Sequence, residues 1–377
     1  MLSLIRSAMS GEVLTADERA LCTDEEITRA IELSTAHDLG QLVAWGLKKN
    51  GIPSAAGEKH IFTSVYRHQQ IKYEYEKLCK TFEEAGIQFL PLKGAVMRSY
   101  YAEPWMRTSC DIDILVHKSE LDKVGNMLVE QLKYRLDIAH SHDVAYYSPA
   151  GVHVEIHFDL IEESVMNASA GVLKSVWEVS TVKEGFRYLY EMPDDLFYFY
   201  HVAHMAKHLL NGGCGIKPFI DLWILDNIAG ADRKSREELL EKGELKKFTE
   251  SAQRLSRVWF GDGEHDDVSL KLEGYVLAGG VYGAEGDNRL SVQMDKLGGR
   301  SKHMLSMIFL PYDSIKYVYP ILQRHRFLTP VMQVRRWLRL IFKGRILRAT
   351  RMLADDCNVS VERVSEVHSF LDSVGLI

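Results

Sequence analysis

Cysteine is scarce in this 377-residue chain, and the five present (Cys22, Cys79, Cys110, Cys214, Cys357) are scattered, with no Cys-x-x-Cys pair. An odd, dispersed set excludes a thiolate zinc cage and a disulfide framework, and it fits a reducing compartment. Long apolar runs are missing as well; none reaches the roughly 20 residues that a membrane-spanning helix needs. Met1–Met9 is too short for a secretory leader and lacks a cleavage pattern. The expectation is a cytoplasmic protein. Positive charge is not in excess either: the net charge is -6, which argues against a general nucleic-acid binder. No internal repeat or low-complexity tract appears.

What is present is an ordinary globular composition, 46% hydrophobic and 26% charged, long enough for two or three domains. The charge is unevenly placed. Residues 311–351 carry ten Lys or Arg against Asp313 alone, leaving the rest of the chain at -15. Val334, Trp337, Leu338 and Ile341 lie among those arginines. This amphipathic basic segment suits an anionic membrane surface or a polyanionic partner, or a place against the acidic remainder.

Residues 1–85 read as helical. Thr23-Asp24-Glu25-Glu26 resembles a capping box, a second helix spans Asp38 to Lys49, and a long third runs from Glu58 to Glu84 and stops at Gly86. Residues 86–190 alternate strand and helix and form the expected catalytic domain. Ile87–Leu92 is a short apolar strand, Lys93-Gly94 turns into a helix, and Ser119 opens another helix to Lys133. His142–Tyr147 and Val152–Leu160 flank Ser148-Pro149-Ala150-Gly151, a hairpin signature. Residues 191–377 read as a helical domain ending in the basic segment: Asp194-Asp195 to Leu210, Pro218 to Ile228, Lys234–Gly261 and Val268–Gly280, with a surface loop over 281–302. The fold class is therefore α+β, a small mixed sheet flanked by N- and C-terminal helical regions.

The chemistry concentrates in the strands. Asp111-Ile112-Asp113-Ile114 alternates with a period of two, so both carboxylates share one face. Such a pair repels itself unless a cation lies between. In the later strand His153, Glu155, His157 and Asp159 alternate with aliphatics, and Glu155 joins the pair if the strands are neighbours. His201, His204 and His208 lie at i, i+3 and i+7 on one helix. Their spacing is not that of a His-Glu-x-x-His zinc site, so a histidine-based metal hydrolase is the weaker reading and a helix lining an acceptor pocket the stronger one. His208 and Asp221 are substrate-binding candidates there, and Lys207 reads as solvated.

Lys93-Gly94, then Asp111-x-Asp113, then Glu155 on a later strand resembles the polymerase-beta-type nucleotidyltransferase superfamily. With Arg107, Val154-Glu155-Ile156-His157 and His208…Phe219-Ile220-Asp221-Leu222, the chain is more similar to an uncharacterised bacterial branch, the family 5 nucleotidyltransferases. The resemblance implies two Mg²⁺ ions, or Mn²⁺, held by Asp111, Asp113 and Glu155. It implies ATP or another NTP bound through Lys93, Gly94 and Arg107, with His157 orienting a ligand. The reaction would be transfer of a nucleoside monophosphate, AMP from ATP, to a hydroxyl of an unidentified acceptor (small molecule, protein or nucleic-acid end), with release of pyrophosphate. One departure stands out: Ala95 follows Gly94 where the superfamily usually has Gly or Ser, and the gap to the aspartates is long. A nucleotide-binding pseudoenzyme or regulatory module is the alternative that this departure favours.

Overall fold

The computed structural model describes residues 1–279, 308–312, 315–316, 319, 321–342 and 361–377. The expected loop over 281–302 and the last part of the basic segment, 343–351, lie outside the described residues.

Five strands form one mixed sheet. β1 (Phe89–Pro91), β2 (Asp111–Val116), β3 (Arg135–Ala139), β4 (Asp143–Tyr147) and β5 (His153–His157) are ordered β1-β2-β5-β4-β3. β2 and β5 are parallel, and the other pairs are antiparallel. β3 has no counterpart in the sequence reading; its residues are all exposed, so no apolar alternation marks it. The β4–β5 hairpin closes as expected, with Ser148 N donating to Val152 O at 2.9 Å.

The period of two divides the sheet into two faces with different neighbours. Ile112, Ile114, Val116, Val154 and Ile156 share a core with Ile71, Leu78 and Phe82 of the long helix Ala55–Ala85, and with Val124, Met127 and Leu128. That helix ends at Gly86 in the left-handed conformation (φ 65°), which a side chain would resist. The opposite face of β2 presents Asp111, Asp113 and Leu115. Leu115 belongs to a second core built from Leu4, Ile5 and Leu42 near the N-terminus and from Phe199, Tyr200, Phe219 and Phe248. Helices from both ends of the chain thus close over the acidic face.

Several helix boundaries differ from expectation for local reasons. Thr23 does cap Asp24–Ala36, accepting from Glu26 N, but the reciprocal capping box belongs to Thr15 and Glu18. The Ser119–Lys133 helix is a 3₁₀ turn, an α turn and a π turn in sequence. Lys234–Gly261 is two helices, Arg233–Lys242 and Lys246–Phe260, parted at Gly243 and the left-handed Glu244. No described helix is long and apolar enough to cross a membrane.

Candidate active site

The parallel register of β2 and β5 sets Asp111 opposite His153, Asp113 opposite Glu155 and Leu115 opposite His157. Two groups of possible ligand atoms result: Asp111, His153 and Glu155, and Asp113, Glu155 and His157, the atoms of each lying within 4.8 Å of one another. Glu155 belongs to both. His157 Nε2 is 2.9 Å from Asp113 Oδ1 and 3.3 Å from Glu155 Oε2. Lys93 Nζ donates to the same Asp113 Oδ1 at 2.8 Å.

The electrostatics separate the two aspartates. Burial, then the neighbouring Asp113 charge, push Asp111 up to about 6. Burial acts upward on Asp113 too, but the Lys93 ammonium and the hydrogen bond from His157 override it and hold Asp113 well below the usual carboxylate range. His157 is pulled down by burial, yet its bonds to Asp113 and Glu155 carry it above an ordinary imidazole. Carboxylates crowded on neighbouring strands, one already answered by a lysine, are a donor set that fits a hard divalent cation.

The turn before Asp111 is built around Lys93 and Gly94. Lys93 itself adopts the left-handed conformation (φ 42°), a costly choice for a residue with a side chain. Leu92 N donates to Asp113 O at 3.0 Å and ties the turn to β2. Gly94 is needed for closeness rather than for backbone freedom: a Cβ there would sit 3.3 Å from Ser109 Oγ and 3.5 Å from Arg98 Nη2.

Arg107 and Asp221, expected to meet phosphate and acceptor, meet each other. Arg107 donates from Nε and from Nη2 to Asp221 at 2.8–3.0 Å, and from Nη1 to Thr108 O at 2.6 Å. Tyr101 Oη donates to Asp221 Oδ1 at 2.7 Å, and Asp221 has no exposed surface. The pairing encloses Asp221 fully and leaves Arg107 12% exposed. Its effect is to fix the loop before β2 onto the helix Lys217–Asp226. Lys217 also holds this loop, bonding Asp38 and Thr108 O, while Thr108 Oγ1 donates to Asp38 Oδ2 at 2.8 Å.

Arg98 is the cation that the sequence reading passed over. It lies one helical turn beyond Gly94, is buried, and bonds Ser109 Oγ. Among the described residues no carboxylate lies within ion-pair distance of it. Burial, then Arg107, lower it to about 10, against the attraction of Asp111, Asp113 and Asp221. The signal available in the sequence was the four-residue step from Gly94 to Arg98, which places both on one side of a helical turn.

The helix Asp194–Asn211 covers this face. Tyr200 lies within the field of Lys93, Asp113, Glu155 and Asp111, and burial is the main cause of its raised phenol. His204 Nε2 and His208 Nε2 are 3.1 Å apart. Burial first and Lys93 second depress both imidazoles, His208 to about 4 even though that residue keeps exposed surface, so both are neutral at pH 7. His201 turns away to bond Pro218 O at 3.0 Å. Lys207, expected in solvent, is paired with Glu162 at 2.8 Å, and Glu162 also holds His142 at 2.8 Å.

The ordered set Lys93-Gly94, Asp111-x-Asp113 and Glu155 now stands on adjacent strands, and a family profile described as an uncharacterised nucleotidyltransferase matches residues 23–261. The chain belongs to this nucleotidyltransferase family. The match takes in the whole sheet, the Asp38 and Asp221 anchors of the loop, and the helix over the acidic face. No curated protein matches the chain closely.

Proposed function

We propose that the chain transfers a nucleoside monophosphate, AMP from ATP, to a hydroxyl group of a second substrate. The observation that carries this reading is the β2–β5 register, which brings Glu155 into one group of possible ligand atoms with Asp111 and into another with Asp113. These carboxylates would hold two Mg²⁺ or Mn²⁺ ions. Such ions stabilise the attacking and leaving oxygens of an in-line displacement.

The chain's own residues have distinct tasks in this scheme. Lys93 and His157 fix the rotamer of Asp113 through its Oδ1. Arg98 offers a guanidinium that no carboxylate saturates, and it takes over the phosphate contact first assigned to Arg107. Ser109 Oγ, beside Gly94, donates to Asp111 O at 2.9 Å and accepts from Arg98, so it holds Arg98 in place and does not replace the hydroxyl that Ala95 lacks. On the far side the neutral His208 would accept a hydrogen bond from the acceptor hydroxyl, whose proton passes to solvent as the new bond forms. The acceptor oxygen forms its bond to the α-phosphorus, the bond to the bridging oxygen breaks, and pyrophosphate leaves with that electron pair.

ATP labelled at the α-phosphate tests the reading directly. Label passing from ATP to a component of cell extract, with equimolar pyrophosphate and dependence on Mg²⁺ or Mn²⁺, supports it. Metal-dependent ATP binding with no transfer to any fraction would favour a nucleotide-binding module without turnover. A hydrolase centred on His201, His204 and His208 gains no support, because none of the three belongs to either metal-capable group among the described residues.

A further inference from the structure

Among its described side chains, the helix Thr329–Phe342 packs by one face. Met332 and Gln333 are buried, Gln333 Nε2 donates to Leu310 O at 2.6 Å, and Trp337 Nε1 donates to Ile308 O at 3.0 Å. Met332 completes a small core with Ile315, Tyr319 and Leu322. The inner face is therefore packed against the chain, with Gln333 Oε1 and Tyr319 Oη left without hydrogen-bond partners among the described residues. On the outer face Val331, Val334 and Leu338, at i, i+3 and i+7, are 56%, 60% and 48% exposed, and Phe327 in the preceding turn is 76% exposed. Four apolar side chains in a row in water require an explanation that single exposed ones do not.

Charge narrows what can cover this stripe. Arg324, Arg326, Arg335 and Arg339 are exposed beside it, and the sequence has no Asp or Glu from 314 to 354. A second copy of the same face would bring like charges together. A nucleic-acid backbone would answer the arginines and leave the valines, Leu338 and Phe327 in water. A bilayer with anionic headgroups answers both, taking the apolar stripe into the acyl boundary and the guanidiniums at phosphate level.

We infer that this helix is an in-plane anchor through which the protein binds anionic lipid surfaces. The stripe and its arginines form a site separate from the acidic strands, and the inference stands whether or not nucleotidyl transfer is the reaction.

Vesicle flotation with the full chain tests it, comparing phosphatidylcholine alone with a phosphatidylcholine–phosphatidylglycerol mixture. The expected result is binding to the mixed vesicles only, weakened by added salt. Each arginine at such a surface contributes roughly fivefold, so Arg335→Ala with Arg339→Ala should lower binding roughly 25-fold. Val334→Asp should abolish it. Phe327→Ser, in the turn outside the helix, serves if the first substitution disturbs folding, and melting curves establish which variants are folded. Absence of binding to mixed vesicles overturns the inference. So does binding that survives Val334→Asp or Phe327→Ser in a folded protein, capture of single-stranded RNA in place of vesicles, or a dimer that the same substitutions dissociate without any vesicle binding.

Discussion

Lys93 Nζ and His157 Nε2 converge on one oxygen of Asp113, at 2.8 and 2.9 Å, whereas Asp111 on the same strand face has no ion pair among the described residues. The two aspartates of the Asp-x-Asp strand are therefore unequal, although the sequence presents them as twins. Asp113 is compensated by the protein. Asp111 has no such compensation among the described residues.

Substitution should expose this inequality. Asp111→Asn removes a repulsion, so thermal stability in metal-free buffer should hold or rise. Asp113→Asn takes from the part-buried Lys93 its hydrogen-bonded partner and should cost up to about 3–5 kcal/mol, the range for breaking a buried pair. Both should abolish transfer. Equal melting temperatures for the two variants would remove the inequality.

Lys93→Met tests the same relationship from the other side. It should destabilise the protein by less than the about 3–5 kcal/mol of a fully stranded buried charge, because Asp113 keeps its bond to His157. Added Mg²⁺ or Mn²⁺ should restore part of the melting temperature, because a bound cation replaces the lost charge. Differential scanning fluorimetry with and without metal reads both effects; an absence of metal rescue would detach Lys93 from the metal site.

Arg98→Met separates ligand binding from stability. A buried guanidinium without a carboxylate partner is a burden on the fold, so the variant should melt at the same temperature or higher. Its affinity for ATP should fall by roughly tenfold or more, in line with loss of a charge-assisted contact worth about 1.5–3 kcal/mol. Calorimetric titration checks the affinity, and a large loss of stability with unchanged affinity would make Arg98 a packing residue.

Arg107 and Asp221 should behave in the opposite way. Asp221→Asn is expected to lower stability by about 3–5 kcal/mol by uncovering a buried charge. Replacing both, with Arg107→Met and Asp221→Leu, should recover part of that loss. Denaturant titration of the single and double variants gives the coupling. Unchanged stability in Asp221→Asn with lost acceptor use would return Asp221 to the substrate.

Acid should destabilise the fold through its histidines. His37, His68, His201, His204 and His208 are all depressed, with burial the first cause in each, so the folded chain holds them neutral. The unfolded chain takes up protons from about pH 6.5 downward. The stability contributed by the depressed imidazoles is thus complete above that pH and is lost as the pH falls toward about 4, the value for His208. His140 and His157 are raised and work in the opposite sense, adding stability below pH 6.5. Five against two makes acid loss the expected net result. Melting curves between pH 4 and 7 on wild type and His204→Gln measure it, and the variant should show the shallower decline.

The acidic core of the site was legible because strand periodicity is strict: a period of two leaves only one face for Asp111, Asp113 and, given the neighbouring strand, Glu155. The hairpin turn and the long helix ending at Gly86 were legible for similarly local reasons. The pairing of Arg107 with Asp221 was not, since the partners lie 114 positions apart and both also fit a ligand-binding role. Arg98 was overlooked because a lone arginine in a short amphipathic turn looks solvated. Only the packing of Ser109 against Gly94 draws it inward. β3 escaped notice because its exposed residues obey no burial pattern.

The loop leading into β2 is held at Asp38 from the N-terminal helices and at Asp221 from the C-terminal ones. Arg98 and Ser109 depend on that loop for their positions. The smallest working piece of this protein is therefore not the sheet with its flanking turns, even though every candidate metal ligand lies within it. A fragment trimmed to residues 86–190 would keep the carboxylates and lose the two tethers that aim the cations at them. Insertions at the surface ends of the helices should be tolerated far better than any cut that separates Asp38 or Asp221 from the strands.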